Sequence, residues 1–152
     1  MILLNPFDLR TVLLAKHAQH VVFIHFPVAL FISGVAFGWV GQWKASRALL
    51  DAGYYNLLLA AASTIPTAVS GLLAWNFQLE GQKLKGTLLL HLIFACASVT
   101  LIWLVWWLRR SARSTGVNPS AVLIALESAA LAIIAVTAHL GGFLSGVNIA
   151  KS

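Results

Sequence analysis

Four long apolar runs divide the chain, and each is closed by charges or turn residues. The first extends from about Ala18 to Trp43 and stops at Lys44, and the second from about Gly53 to Phe77, between Asp51 and Glu80. The third runs from Gly86 to Leu108, between Lys85 and Arg109. The fourth opens at Asn118-Pro119-Ser120, where Asn can cap and Pro can take the first helical position, and continues to about Leu144. A helix needs about 20 apolar residues to cross a bilayer, so all four runs read as membrane spans rather than as helices of a soluble core. Connections of about ten residues force neighbouring spans to run antiparallel. The pattern predicts an all-α integral membrane protein, a single domain over 1–152, folded as an up-down-up-down four-helix bundle with spans near 18–43, 53–77, 86–108 and 119–144.

Residues 1–17 differ from the rest. Asn5-Pro6 resembles a cap and first turn, and Phe7, Leu9, Val12, Leu13 and Leu14 interleave with Asp8, Arg10 and Lys16, as in a short helix lying in the membrane interface. There is no basic stretch ahead of these apolar residues and no clear small-residue cleavage site, so the segment reads as retained rather than as a signal peptide. Within the spans, Gly34, Gly38 and Gly41 allow close helix approach. Pro27 and Pro66 fall inside spans, which is tolerated where a neighbour satisfies the freed carbonyl. No repeat or low-complexity segment stands out.

Composition turns the pattern into an exclusion. Of 152 residues, 60% are hydrophobic and 9% charged, where a soluble domain carries about 25% charged residues. With a mean hydropathy of +0.88, the chain has no polar coat for a water-facing surface. Soluble enzymes, nucleic-acid binders and disordered proteins are thereby set aside. The net charge of +6 comes from basic residues that flank the apolar runs, where they orient the chain and meet lipid. Arg10, Lys16, Lys83, Lys85 and Lys151 lie on one face, and Lys44, Arg47, Arg109, Arg110 and Arg113 on the other. The tight Arg cluster of the second face points it inward, which turns the first face towards the periplasm. The one cysteine, Cys96, allows neither an internal disulfide nor a Cys-x-x-Cys-His attachment of haem.

The five histidines are His17, His20, His25, His91 and His139. His25 is about seven residues into the first span, His91 about five into the third, and His139 about five from the end of the fourth. At 1.5 Å per residue all three are expected roughly 8–11 Å below one membrane surface, the periplasmic one by the charge argument. Ionisable groups inside spans are costly and point to function. Neutral imidazole is a good ligand for haem iron, and two rings from facing helices can hold one b-type haem without cysteine. His25 and His91, on diagonal helices, are the expected iron ligands, with His139 as an alternate. His20, about 140° around the helix from His25, would join His139 in a second site, giving one haem or two. His17 reads as interfacial. Lys83 and Lys85 would meet haem propionates or lipid phosphates. Glu127, near the opposite face, reads as a structural partner for Ser or Thr on another helix, with a proton or quinone site as the alternative.

Three strings carry a family resemblance: Ile24-His25-Phe26-Pro27-Val28-Ala29-Leu30, Ser70-Gly71-Leu72-Leu73-Ala74-Trp75, and Ala138-His139-Leu140-Gly141-Gly142-Phe143-Leu144. They resemble the bacterial four-span membrane family catalogued as domain of unknown function 2231, whose first helix carries a His-Phe-Pro signature. Many members have Asp near the position of Ala74-Trp75, and this chain departs from them there. The resemblance covers nearly the whole chain. It implies a subunit similar to b-type cytochromes of the bacterial inner membrane, in relatives joined to electron-transfer domains such as c-type cytochromes.

The expected function is electron transfer through haem b, from a quinol to an exterior carrier, either alone or within a larger respiratory or photosynthetic membrane complex. The competing expectations are a non-catalytic subunit that packs against larger membrane proteins, or single-His ligation of chlorophyll. Zinc would need a third or fourth ligand at the same level, and no acid lies near His25, His91 or His139. A transport path is the weakest expectation, because polar residues do not line both leaflets.

Overall fold

The computed structural model describes residues 16–78, 81–115 and 120–145. These form four helices: α1 (Lys16–Trp43), α2 (Arg47–Gln78), α3 (Gly86–Thr115) and α4 (Ala121–Leu144). All four are long and apolar enough to cross a membrane. The expected interfacial segment lies almost wholly outside the described residues, although Lys16 and His17 open α1. α2 begins six residues ahead of its apolar run and α3 continues seven beyond its own, because a charge ends a hydrophobic stretch without ending a helix.

What ends α1 is a turn of three residues, far shorter than expected. Ser46 N–H donates to Gly41 O at 2.9 Å and Lys44 N–H to Val40 O at 2.9 Å, with Ala45 in the left-handed region at φ 49°. Ser46 then caps α2, its Oγ facing Leu49 N–H at 3.5 Å. At α4 the cap is Ser120, whose side chain accepts from Leu123 N–H at 3.3 Å. The cap expected at Asn118, with Pro119 next to it, lies outside the described residues.

Round the bundle α1 neighbours α2, α2 neighbours α3, α3 neighbours α4, and α4 returns to α1. The core joins Phe31 and Val35 of α1, Leu57, Ala60 and Ala61 of α2, Ile102 and Val105 of α3, and Ala130 and Ile134 of α4. α1 and α2 approach most closely. A Cβ on Gly53 would stand 2.9 Å from Gly34 O and Gly38 N, and one on Gly41 would stand 2.9 Å from Leu50 N. Without a hydrophobic drive in lipid, such backbone contact is the main source of attraction between spans. The pairs 20/71, 34/57 and 41/50 are all in contact and all sum to 91, so one antiparallel register holds along the hairpin. Pro27 removes the amide that would bond Phe23 O, and the Thr67 hydroxyl of α2 approaches that carbonyl at 3.1 Å while sharing its one proton with Ser63 O at 2.8 Å.

The two hairpins α1–α2 and α3–α4 repeat one pattern, which the sequence alone did not display. Ser98, Ile102, Val105 and Arg109 are the buried positions of α3, and each lies 71 residues after a buried position of α1: Pro27, Phe31, Gly34 and Gly38. In α4, Leu123, Glu127, Ala130 and Ile134 each lie 70 residues after Gly53, Leu57, Ala60 and Thr64, all buried in α2. Identities at the same offsets include His20/His91, Phe23/Phe94, Thr67/Thr137 and Gly71/Gly141. The contacts repeat too, for Thr137 Oγ1 meets Ser98 Oγ at 2.9 Å where Thr67 meets the backbone beside Pro27. Most paired positions differ in identity, as a lipid setting that accepts any apolar side chain allows, while the burial pattern is shared. The two hairpins run the same way round the bundle, the arrangement that a pseudo-two-fold axis along the membrane normal would relate.

Candidate functional site

At one end of the bundle each hairpin holds a histidine against a glycine. The His20 ring of α1 rests on Gly71 of α2, where a Cβ would stand 3.0 Å from its Cε1. Likewise the His91 ring of α3 rests on Gly141 of α4, with a Cβ 3.2 Å from Cε1. The hydrogen bonds orient both rings the same way. Ser70 Oγ donates its only proton to Thr67 O at 2.9 Å, so at 3.0 Å it accepts from His20 Nδ1–H. His91 Nδ1–H donates to Thr137 O at 3.2 Å. In the neutral ring the lone pair then resides on Nε2 in both cases.

His25 and His139 are placed differently. His25 Nδ1–H donates to Val21 O of its own helix at 2.6 Å, and the ring is exposed among Val22, Phe26, Ala29 and Ile32. Nine residues separate it from Gly34, which is 900°, or half a turn away from the side that faces α2. His139 is also exposed on α4, its ring edge-on to Phe143 at 5.0 Å. The structure thus brings His20 and His91 to the seams between helices and leaves His25 and His139 on outer faces. Because α1 extends back to Lys16, His20 as well as His25 lies within it. Lys83 and Lys85 line a shallow depression of about 410 Å³ in the α2–α3 turn, together with Gln82 and Leu88. Among the described residues, no three His, Cys, Asp or Glu gather as a metal site.

A model of the family described as "Predicted membrane protein (DUF2231)" matches residues 16–148. The chain belongs to this family. No curated protein and no solved structure matches it.

At its opposite end, this DUF2231 protein buries an ion pair. Arg109 of α3 presents Nε to Glu127 Oε1 at 2.6 Å and Nη2 to Oε2 at 2.8 Å, and Trp39 Nε1 of α1 donates to Oε2 at 2.7 Å. Glu127 is completely buried and Arg109 is 9% exposed. The partners of Glu127 are therefore Arg109 and Trp39, not the Ser or Thr expected of it. Sequence reasoning missed Arg109 because it sits at the end of an apolar run and reads as a lipid-facing charge. The available signal was a carboxylate eight residues into a span, which needs a cation at the same depth on a neighbour. Just beyond, Arg113 pairs with Asp51 and lies over Tyr54 at 4.9 Å, while Arg110 lies over Trp106 at 5.8 Å. Exposed Trp43 and Trp107 complete an aromatic and basic girdle of the kind that marks a membrane–water interface.

Proposed function

We propose that this chain is a b-type haem electron-transfer protein of the bacterial inner membrane, or the haem-bearing subunit of a larger respiratory or photosynthetic complex. The observation that carries the reading is His91: an imidazole within a span, with Nδ1–H committed to the Thr137 carbonyl and the ring laid on a glycine. A ligating histidine characteristically gives its other ring proton to a carbonyl, which sets the tautomer and raises the basicity of the ligating nitrogen. Gly71 and Gly141 let the two rings lie directly on the partner helices, in space that a Cβ would contest. Histidine supply is consistent with haem b, which needs no thioether link to cysteine.

When bound, the haem supplies a one-electron couple whose potential follows its axial ligands and the polarity around it. The chain's own part is to hold the imidazoles, keep the surroundings dry with the apolar spans, and meet propionates with Lys83 and Lys85. On this reading the histidine end faces the periplasm, a quinol is the electron donor, and a c-type cytochrome or a larger membrane complex is the acceptor.

The test is the absorption spectrum of the full chain purified from haem-replete cells, before and after dithionite. A Soret band with a reduced α-band is the expected result. Colourless protein would overturn the reading and leave a subunit that packs against other membrane proteins. A far-red band would overturn it in favour of chlorophyll.

A further inference from the structure

The hairpin repeat decides which histidines correspond, and its axis decides where they point. His20 and His91 occupy equivalent positions 71 residues apart, and the glycines beneath their rings, Gly71 and Gly141, are equivalent at 70. His25 corresponds to Cys96 and His139 to Val69, all four of them exposed, so neither of these histidines has a histidine mate.

Direction follows from a second pair of equivalents. Gly38 and Arg109 are also 71 residues apart, and they touch: a Cβ on Gly38 would stand 3.2 Å from Arg109 Nη2. Two positions related by a two-fold axis meet each other only beside that axis. Gly38 and Arg109 therefore face it, at the ion-pair end of the bundle. His20 precedes Gly38 by 18 residues, and His91 precedes Arg109 by 18. Eighteen residues are five complete turns of an ideal helix, so each histidine shares a helix face with the residue that makes this contact, about 27 Å away along the helix.

We infer that His20 and His91 are a matched pair of axial ligands, one from each hairpin, for a single haem on the pseudo-two-fold axis. The inference rests on the haem reading above and replaces His25 with His20 in the ligand pair. Matched tautomers support it, since both rings commit Nδ1–H to an oxygen on the partner helix and present Nε2 as donor. Two equivalent helices then carry the same donor nitrogen, as a bis-imidazole site requires.

Electron paramagnetic resonance of the oxidised full chain, purified with its haem, tests the pairing. The unsubstituted protein is expected to show a low-spin signal. His20→Ala and His91→Ala each convert it to high-spin, and free imidazole restores it. His25→Ala and His139→Ala leave it unchanged. A low-spin signal that survives His20→Ala and is lost in His25→Ala overturns the pairing while keeping the haem. An unsubstituted chain without haem overturns the functional reading itself. Should the alanine variants aggregate, His20→Met and His91→Met give the answer by redox titration. Each should raise the midpoint potential, as Met/His ligation does, and an unchanged potential in folded His20→Met overturns the inference.

Discussion

Gly38 and Arg109 hold the same place in the two hairpins, and the glycine's missing side chain is the space that the arginine fills. A Cβ on Gly38 would approach Arg109 Nη2 to 3.2 Å and Cζ to 3.4 Å. The two hairpins differ in a complementary way here, with glycine in one and arginine in the other, and Leu57 in one standing where Glu127 stands in the other. An ion pair buried inside this end of the bundle is tolerable only because both hydrogen bonds of the arginine fork are made and Trp39 supplies a third donor to the carboxylate.

Removing one member of that pair leaves the other charge buried and alone. Glu127→Leu or Arg109→Met should each destabilise the fold by about 3–5 kcal/mol, whereas the double substitution should recover most of the loss. Thermal unfolding of all four proteins in one detergent completes the cycle. Additive losses in the double variant would show that the two side chains do not act on each other.

Gly38 tests the same contact from the other side. Arg109 is pinned at two nitrogens by Glu127, so it cannot swing away from an added side chain without giving up a hydrogen bond. Gly38→Leu should cost about 1–3 kcal/mol as an overpacked site, and Gly38→Ala less. In the Arg109→Met background most of the penalty should vanish, which unfolding midpoints would register.

A stabilising change is expected at the first turn. Ala45 sits at φ 49° between α1 and α2, a conformation that costs an L-residue about 1–2 kcal/mol and glycine almost nothing. Ala45→Gly should therefore raise the unfolding midpoint. Offsetting entropy in the unfolded chain trims the gain to about 0.5–1 kcal/mol. A fall in the midpoint would show that the turn is held by something other than its backbone pattern.

Thr67 and Pro27 form a compensated pair across the hairpin. With no amide at Pro27, the donor facing Phe23 O is the Thr67 hydroxyl, whose one proton is shared with Ser63 O, and lipid offers no water in exchange. Thr67→Val should cost about 0.5–1.5 kcal/mol, the net worth of an ordinary hydrogen bond, and Thr67→Ser should restore most of it. If Pro27→Ala abolishes the difference between Val and Ser at position 67, the compensation is established by thermal unfolding alone.

Much of the fold was legible in the sequence because the bilayer makes unusually simple demands. Four apolar runs of sufficient length, joined by short polar stretches, leave few arrangements other than an antiparallel bundle. Less legible was where helices end, since Arg47 and Asp51 continue α2 while the run they precede begins at Gly53. Depth along a span can be counted, so the sequence placed His25, His91 and His139 within helices that could cross a membrane. Which way each one faces depends on helix phase relative to the glycine seam, and Gly34 and Gly53 set that phase only once α1 and α2 are packed. The repeat stayed hidden for a related reason: its strongest trace is burial, and burial is a property of the packed bundle.

The two glycines under the histidines should respond in proportion to their clearance. A methyl at position 71 would stand 3.0 Å from His20 Cε1 and 3.5 Å from both ring nitrogens, while one at position 141 would stand 3.2 Å from His91 Cε1 and 3.7 Å from Nδ1. The His20 ring is also tied to Ser70, the immediate neighbour of Gly71, so it has little freedom to slide. Gly71→Ala should thus destabilise by about 1–3 kcal/mol, the ordinary cost of overpacking, and Gly141→Ala by less. If the clash with the ring is the cause, the effect must depend on the ring. In a His20→Ala background, Gly71→Ala should become neutral or mildly stabilising, since alanine is preferred over glycine within a helix. An undiminished penalty in that background would place its origin in the α1–α2 backbone contact rather than in the histidine, and would remove the reason for reading Gly71 as the cradle of His20.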